Sequence, residues 1–451
     1  MEIVVAGAGK LGEKLCKDLS DAGYNVTLIE RNPVRLEQMI NSFDVTGVEG
    51  SGALYDVQEE AGVADCGLFI AVMPNDETNI IASITARKLG ARFCVARVRS
   101  PEFSQQMSFM GESMGIDILV NPDQEAARDI ARNLGFPTAL ELEYFDRGRI
   151  NIATYPLPVN SPLSGKKLMD LSSILKNVNI CAIERGDRVF ICNGMSEILE
   201  GDLLHVTGTA RHLNDFYEEM GGKRQRMDHV LIIGAGRITH YLLPLLARDH
   251  IHAKVIEINP VLAEQLAADF PGVEVIKGDG TDQEFLRAER VSHFDAVVAL
   301  TGIDEENILV SIYASRMQVP KTVTKVNRTI LLDVLENVGL QAIVTPRELI
   351  ADQMMRLVRS LESTHGSNIQ ALHRLADNRV EALQFVVQPD ARVVGMPLKD
   401  MPTRNRVVVA AIVRGKHVLY PGGEDCIKPG DNVIIVTTRG GFKDIDDILE
   451  G

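Results

Sequence analysis

Three glycines, Gly7, Gly9 and Gly12, follow an apolar run at the spacing Gly-x-Gly-x-x-Gly, and Glu30 closes the next apolar run eighteen residues beyond Gly12. That pattern suits the diphosphate of a dinucleotide and its adjoining sugar. Gly7 permits a tight turn, Gly9 lets the backbone approach a pyrophosphate, and Gly12 lets a helix pack close to a sheet. The free N–H groups of the segment Ala8, Lys10 and Leu11, at the start of that helix, then face the phosphates with the helix dipole behind them. Glu30 would accept hydrogen bonds from the adenosine ribose, and its charge would repel a 2′-phosphate. NAD(H) or an adenine nucleotide is thereby favoured over NADP(H), with Arg31 as the adjacent counter-signal. A turn of purely structural purpose is the competing reading of the glycines.

The signature is written twice. Gly234, Ala235, Gly236, Arg237 and Ile238 repeat the first loop at an offset of 227 residues, and Glu257 repeats Glu30 at the same offset. Asp76-Glu77-Thr78-Asn79 returns as Asp304-Glu305-Glu306-Asn307, and Val95-Ala96-Arg97 as Val323-Thr324-Lys325, both at 228. Such persistence indicates a tandem duplication. The copies are not identical. Thr239 replaces the third glycine, and a β-branched residue there is expected to push the helix slightly from the sheet and alter the phosphate geometry. After the third strand the second copy has Gly278-Asp279-Gly280, where Asp279 would line the adenine edge, and the first copy has Ser51 in that place. Each half lacks one element the other keeps, so an occupied and a vacant or weak second site both stay open.

The ends of the fourth strands, Met73-Pro74-Asn75-Asp76 and Thr301-Gly302-Ile303-Asp304, fall at the carboxyl edge of the sheet, where open α/β folds bind ligands. Arg97, Arg99, Lys325 and Arg328 follow as cations that reach phosphates across a dimer seam or form surface salt bridges.

The elements that must position these residues are legible in outline. β-rich runs at 2–6, 26–30, 45–48, 68–73, 93–97 and 117–120 alternate with helical stretches, one of them carrying Leu11, Leu15 and Leu19 on a single stripe. This predicts a doubly wound parallel sheet. Asn121-Pro122-Asp123 then opens a helix over 124–134. Beyond Gly135-Phe136-Pro137 come short strands and Gly-rich turns, and the second half repeats them, with Gly395 matching Gly165 and Asp431 matching Asp202. The fold class is α/β, two tandem Rossmann-like sheets, each followed by a small α+β module. The expected bounds are 1–137 (N1), 138–217 (C1), a linker at 218–227, 228–370 (N2) and 371–451 (C2). The polar stretch Ser363 to Asn368 is expected to bend or move.

Composition narrows the function. Net charge is −15, which argues against a nucleic-acid backbone and suits a partner with basic cytoplasmic loops. No apolar run approaches the roughly 20 residues needed to span a bilayer, and a strand opening at Glu2 leaves no room for a signal sequence, so a cytoplasmic location is expected. Six scattered cysteines read as buried free thiols. No histidine precedes His205, and His250 and His252 stand without a Cys or carboxylate cluster, so no metal site is expected. C1 and C2 are near-copies rather than a dedicated substrate domain, which favours sensing over turnover. A NAD-dependent oxidoreductase and a nucleotide-free scaffold are the alternatives.

Taken together, the Gly-rich loops with Glu30, the Asp-Glu-x-Asn and Val-x-Arg/Lys segments and the two C-type modules resemble the RCK (or KTN) family over essentially the whole chain. The resemblance implies a non-enzymatic regulatory protein that binds NAD(H) and ATP or ADP. It also implies a homo-oligomer, a tetramer with eight RCK units, forming a ring on the inner face of the cell's inner membrane under a potassium channel or transporter subunit that it gates. Helices near 122–134 and 346–360 would build dimer contacts. A nucleotide bridging Rossmann units through Arg97 or Arg99 would couple binding to gating.

Overall fold

A computed structural model describes residues 1–101, 111, 114–136, 138–146, 149–171, 174–223, 227–328, 340–363, 369–376 and 379–450. In the first half β1 (Glu2–Ala6), β2 (Asn25–Glu30), β3 (Thr46–Glu49), β4 (Leu68–Ala71), β5 (Cys94–Arg97) and β6 (Ile118–Val120) form one parallel sheet in the order β3-β2-β1-β4-β5-β6. All four residues of β4 are buried, as a central strand covered on both faces requires. The Lys10–Asp21 helix lays Leu11, Leu15 and Leu19 onto this sheet. The Pro33–Ser42 helix starts cleanly because Asn32 accepts from the Arg35 N–H and Pro33 occupies the first turn.

Next along the chain come β7 (Glu141–Phe145), β8 (Ile150–Pro156), β9 (Val178–Arg185), β10 (Arg188–Ile191) and β11 (Leu203–Gly208), an antiparallel sheet ordered β10-β9-β11-β8-β7. The second parallel sheet contains β12 (His229–Ile233), β13 (His252–Glu257), β14 (Glu274–Lys277), β15 (Ala296–Ala299), β16 (Lys321–Lys325) and β17 (Ala342–Val344), ordered β14-β13-β12-β15-β16-β17. It repeats the first strand for strand. The last sheet, β18 (Ile369–Leu375), β19 (Val380–Val386), β20 (Val407–Arg414), β21 (His417–Leu419) and β22 (Asn432–Thr437), repeats the antiparallel topology of β7 to β11.

Sequence order is N1, C1, N2, C2, but the chain folds into two compact units that join like with like. One holds residues 1–134 and 227–358, the other 135–226 and 359–451. In the first unit the Pro122–Gly135 helix, begun by Asn121 accepting from the N–H groups of Asp123 and Gln124, leaves its own sheet. Its Ala126, Ile130 and Leu134 share a core with Val230, Leu242 and Leu246 of N2. Each large side chain so buried contributes about 1.5–3 kcal/mol. The matching Pro346–Ser363 helix buries Ile350, Ala351, Met354 and Val358.

In the second unit Phe145, Ile152 and Cys181 of C1 share a core with Val380, Ala411 and Ile434 of C2. The repeat extends to ion pairs: Arg185 grips Asp202 through two bonds of 2.7 and 2.8 Å, and Arg414 grips Asp431 through two of 2.9 and 2.8 Å.

The expected linker begins inside the Ala210–Glu219 helix. Ser363 ends a helix, and the remainder of the expected bend, 364–368, lies outside the described residues. Among the described residues no helix is long and apolar enough to cross a membrane. Five of the six free cysteines are buried, with burial pushing Cys94 up to about 11 and Cys16 up to about 12.

Candidate nucleotide-binding crevices

Each Gly-rich loop turns directly off its first strand. Gly7 and Gly234 have φ of +108° and +107°, a region that L side chains avoid. A Cβ on Gly12 would lie 1.9 Å from the Gly7 carbonyl oxygen, so in N1 the helix presses on the loop as closely as backbone allows. In N2 the same position is Thr239, fully buried, whose hydroxyl donates to the Gly234 carbonyl at 2.6 Å. The loop and helix of N2 therefore stand further apart, and a hydrogen bond fills the difference. On the outer side the two loops agree. A Cβ on Gly9 or on Gly236 would meet nothing within 4 Å. Gly9 and Gly236 are the caps of the Lys10–Asp21 and Arg237–Arg248 helices, whose first-turn N–H groups have no partner in the helix. Open space in front of unpaired amides fits a diphosphate.

Glu30 and Glu257 end their second strands and turn back to the loops. Glu30 accepts from the N–H of Ala8 at 2.6 Å and of Asn32 at 2.9 Å; Glu257 accepts from Ala235 at 2.6 Å and Asn259 at 2.8 Å. One donor on each oxygen leaves acceptor capacity for a sugar hydroxyl. Only N1 adds a cation here, since Arg35 donates through Nε to the Ala8 carbonyl at 3.1 Å and pairs with Glu13 at 2.5 Å. Its counterpart in N2 is Leu262, which lines the crevice.

The Asp-Glu-x-Asn segments hold backbone groups at the neighbouring strand ends. Asn79, fully buried, accepts from the Met73 N–H at 2.7 Å and donates to the carbonyls of Met73 and Arg97 at 3.0 and 2.9 Å. Asn307 does the same for Thr301 and Lys325. Asp76 accepts from the N–H groups of Arg99 and Ser100, both at 2.8 Å, and Asp304 from those of Asn327 and Arg328, both at 2.9 Å. Burial pushes the Asp304 carboxyl up, but the bonds from Asn327 and Arg328 outweigh it and hold it below the ordinary range.

The expected phosphate cations sit on this same frame. Arg97 donates to the carbonyls of Met73 at 2.5 Å and Pro74 at 3.2 Å, and Lys325 to that of Thr301 at 2.5 Å. Burial, then the neighbouring Arg99, lowers Arg97 to about 10, and burial lowers Lys325 as well. Arg328 pairs with Glu305 and Asp304. Asp279 is exposed and bends onto the N–H and hydroxyl of Thr281, which hold it below the ordinary carboxylate range. Ser51 is half-buried at the start of the turn that Leu54 closes on its carbonyl. Among the described residues no cluster of His, Cys, Asp and Glu suits a metal ion.

The N2 loop opens on a cleft of about 510 Å³ that contains Gly236, Arg237, Ile238, Gly302 and Lys325 from N2 and Asp123 from N1. Asp123 accepts from Arg237 Nε at 2.8 Å. Nearby, Tyr241 donates to the Arg99 carbonyl at 3.0 Å and accepts from Asn121 at 2.9 Å. On the N1 side Lys14 pairs with Glu348 at 3.0 Å, and Arg347, partly buried, lies within electrostatic reach of Glu13 and Asp304. The sequence pattern gives no site role to Arg35, Asn79, Asn307, Asp123 or Arg347, although Asn79 and Asn307 stand in the repeated Asp-Glu-x-Asn segments. The signal for Asp123 and Arg347 was present: each follows the proline that opens its helix, and their charges are opposite.

Two Gly-rich turns, each with open amides and an acid at the next strand end, make this a tandem Rossmann-type protein, of the fold class that holds dinucleotides. The sequence matches the TrkA-N domain over residues 3–122 and 230–346 and the TrkA-C domain over 152–221 and 382–450. The chain belongs to the TrkA family. It is 30% identical over 449 residues to a Trk system potassium uptake protein TrkA homolog of Archaeoglobus fulgidus, covering 100% of both chains. The GsuK RCK domain superposes with a TM-score of 0.62 at 18% identity, covering 96% of this chain and 92% of that one. A GsuK channel bound to NAD superposes with a TM-score of 0.62 at 19% identity, covering 97% of this chain and 76% of that one. The RCK fold expected from the sequence is thus the fold observed. The Archaeoglobus fulgidus relative is named for transport rather than for a reaction.

Proposed function

We propose that this chain is a cytoplasmic regulatory subunit of a potassium uptake system, peripheral to the inner membrane, that binds NAD(H) and ATP or ADP in the N1 and N2 crevices. It would act as a homo-oligomer on a Trk-type potassium-translocating membrane subunit. The observation that carries this reading is the pair of open Gly-rich loops, Gly7 to Gly12 and Gly234 to Thr239, joined in one compact unit through the helix that N1 lends to N2. The full-length similarity to a TrkA homolog, and the fold shared with a channel described as bound to NAD, support it.

The proposed chemistry of the site is recognition alone. Backbone amides at the loop would hold the diphosphate, and Glu30 or Glu257 the ribose. The Asn79 and Asn307 frames would fix the fourth-strand ends that floor each crevice. Gating then requires that nucleotide bind one arrangement of the units better than another, because equal affinity for both shifts nothing.

The test is thermal unfolding of the intact chain with NAD, NADH, ADP and ATP, paired with potassium flux through the reconstituted membrane subunit. A ligand held only by the native state at about 100 times its Kd adds roughly 2.7 kcal/mol. No stabilisation by any of the four would refute nucleotide binding, and flux indifferent to all four would refute regulation.

A further inference from the structure

The pseudo-symmetric crevices of the first unit differ in charge at three matched positions. Lys10 and Arg35 flank the N1 loop, and Arg347 donates to the Asn327 carbonyl at 2.9 Å within electrostatic reach of Glu13 on the helix that the N1 loop opens; Arg237, Leu262 and Asp123 line the cleft at the N2 loop. Of these N1 residues Arg35 pairs with Glu13, and Lys10 is exposed with no ion pair among the described residues. In N2 Arg237 is already paired with Asp123, whose side chain keeps 17% of its exposure, and the cleft's lysine, Lys325, is held by the Thr301 carbonyl. Asp123 lines the cleft together with Gly236, at the mouth of the loop.

We propose that Asp123 and Arg347, the residues after the prolines that open the two exchanged helices, sort nucleotides between the crevices by terminal charge. This rests on the reading of both loops as nucleotide sites. The carboxylate of Asp123 neutralises Arg237 and repels a free terminal phosphate, so N2 takes a dinucleotide, whose two phosphates lie between its sugars and carry one charge each. The guanidinium of Arg347, with Lys10 unpaired, lets N1 take a nucleoside polyphosphate that ends in a free phosphate. The donor of each discriminating residue is the other half: N1 supplies Asp123 to N2, and N2 supplies Arg347 to N1. Specificity is achieved partly by a repulsive element, as discrimination between similar ligands often demands.

The experiment is calorimetric titration of the full chain with ATP and with NAD at two salt concentrations, for the native protein, Asp123→Asn and Arg347→Gln. Repeating Asp123→Asn in a Gly9→Glu background, in which the N1 loop is blocked, isolates N2. Removing one charge at this range should tighten ATP at N2 by about tenfold in Asp123→Asn while NAD moves by less than about threefold, and the gain should shrink at high salt. Arg347→Gln should have the opposite sign, weakening ATP by about tenfold, so the proposal stays testable if one variant folds poorly. Nucleotide binding with an unchanged ATP-to-NAD ratio in both variants overturns the sorting role alone. No nucleotide binding by the native chain overturns the site and the sorting role together.

Discussion

N1 and N2 share strand order, loop path and the buried asparagine frame, yet they close their Gly-rich loops by different means. N1 does it with a missing side chain at Gly12, N2 with a hydroxyl at Thr239. N1 ties its loop to Arg35, and N2 has Leu262 in that place. What the pair teaches is that the frame of a duplicated fold is retained where backbone groups must be satisfied, while the groups facing the crevice diverge. C1 and C2 show the same rule: the Arg185–Asp202 and Arg414–Asp431 pairs match, whereas the buried His205 of C1 corresponds to Ile434 in C2.

The comparison can be broken most severely at Gly12. Gly12→Thr gives N1 the residue that N2 already carries, but with the Gly7 carbonyl 1.9 Å from the new Cβ it should cost about 2–4 kcal/mol and abolish nucleotide binding at N1. Chemical denaturation with a ligand titration checks both; a neutral Gly12→Thr would mean the halves close their loops alike. Asn79→Ala and Asn307→Ala should each cost about 2–3 kcal/mol, because each strands a buried N–H and two carbonyls. Equal losses sharpen the claim of a shared frame, and unequal ones break it.

In the second unit the difference is one of pH. Burial pushes His205 down to about 4 against the upward pull of Glu184, from an unfolded value of 6.5. The unfolded chain then takes a proton that the folded unit refuses, so stability present above about pH 6.5 is lost as pH falls toward about 4. Melting temperature followed over that window should fall in the native protein, and less steeply in His205→Ile, which copies C2. The smallest effect is expected at the seam. Double-mutant cycles for Arg237–Asp123 and Lys14–Glu348, both partly exposed, should each give under about 1 kcal/mol in folding stability.

Much of this was legible in advance, and the illegible part has a physical cause. Gly7 and Gly12 announce a tight turn because their spacing is local, and the duplication announces the second sheet. Glu30 is recognisable as an acid at a strand end, but its two bonds to Ala8 and Asn32 depend on how the loop folds back. Asn79 reads as an ordinary helix residue until β4 and β5 are laid side by side. That N1 pairs with N2, and C1 with C2, is not written in local pattern at all, since an amphipathic helix such as Pro122–Gly135 shows that it has an apolar face without showing which core receives it. Asp123 and Arg347 look like ordinary first-turn residues for the same reason.

The most direct test of nucleotide recognition by these loops is a calorimetric count of ATP sites and of NAD sites per chain, taken together, in the native protein and in Gly9→Glu. Because nothing lies within 4 Å of a Cβ at Gly9, the variant should melt as the native protein does without ligand, and it should lose the N1 share of nucleotide binding. Unchanged site number and affinity in Gly9→Glu would contradict the account.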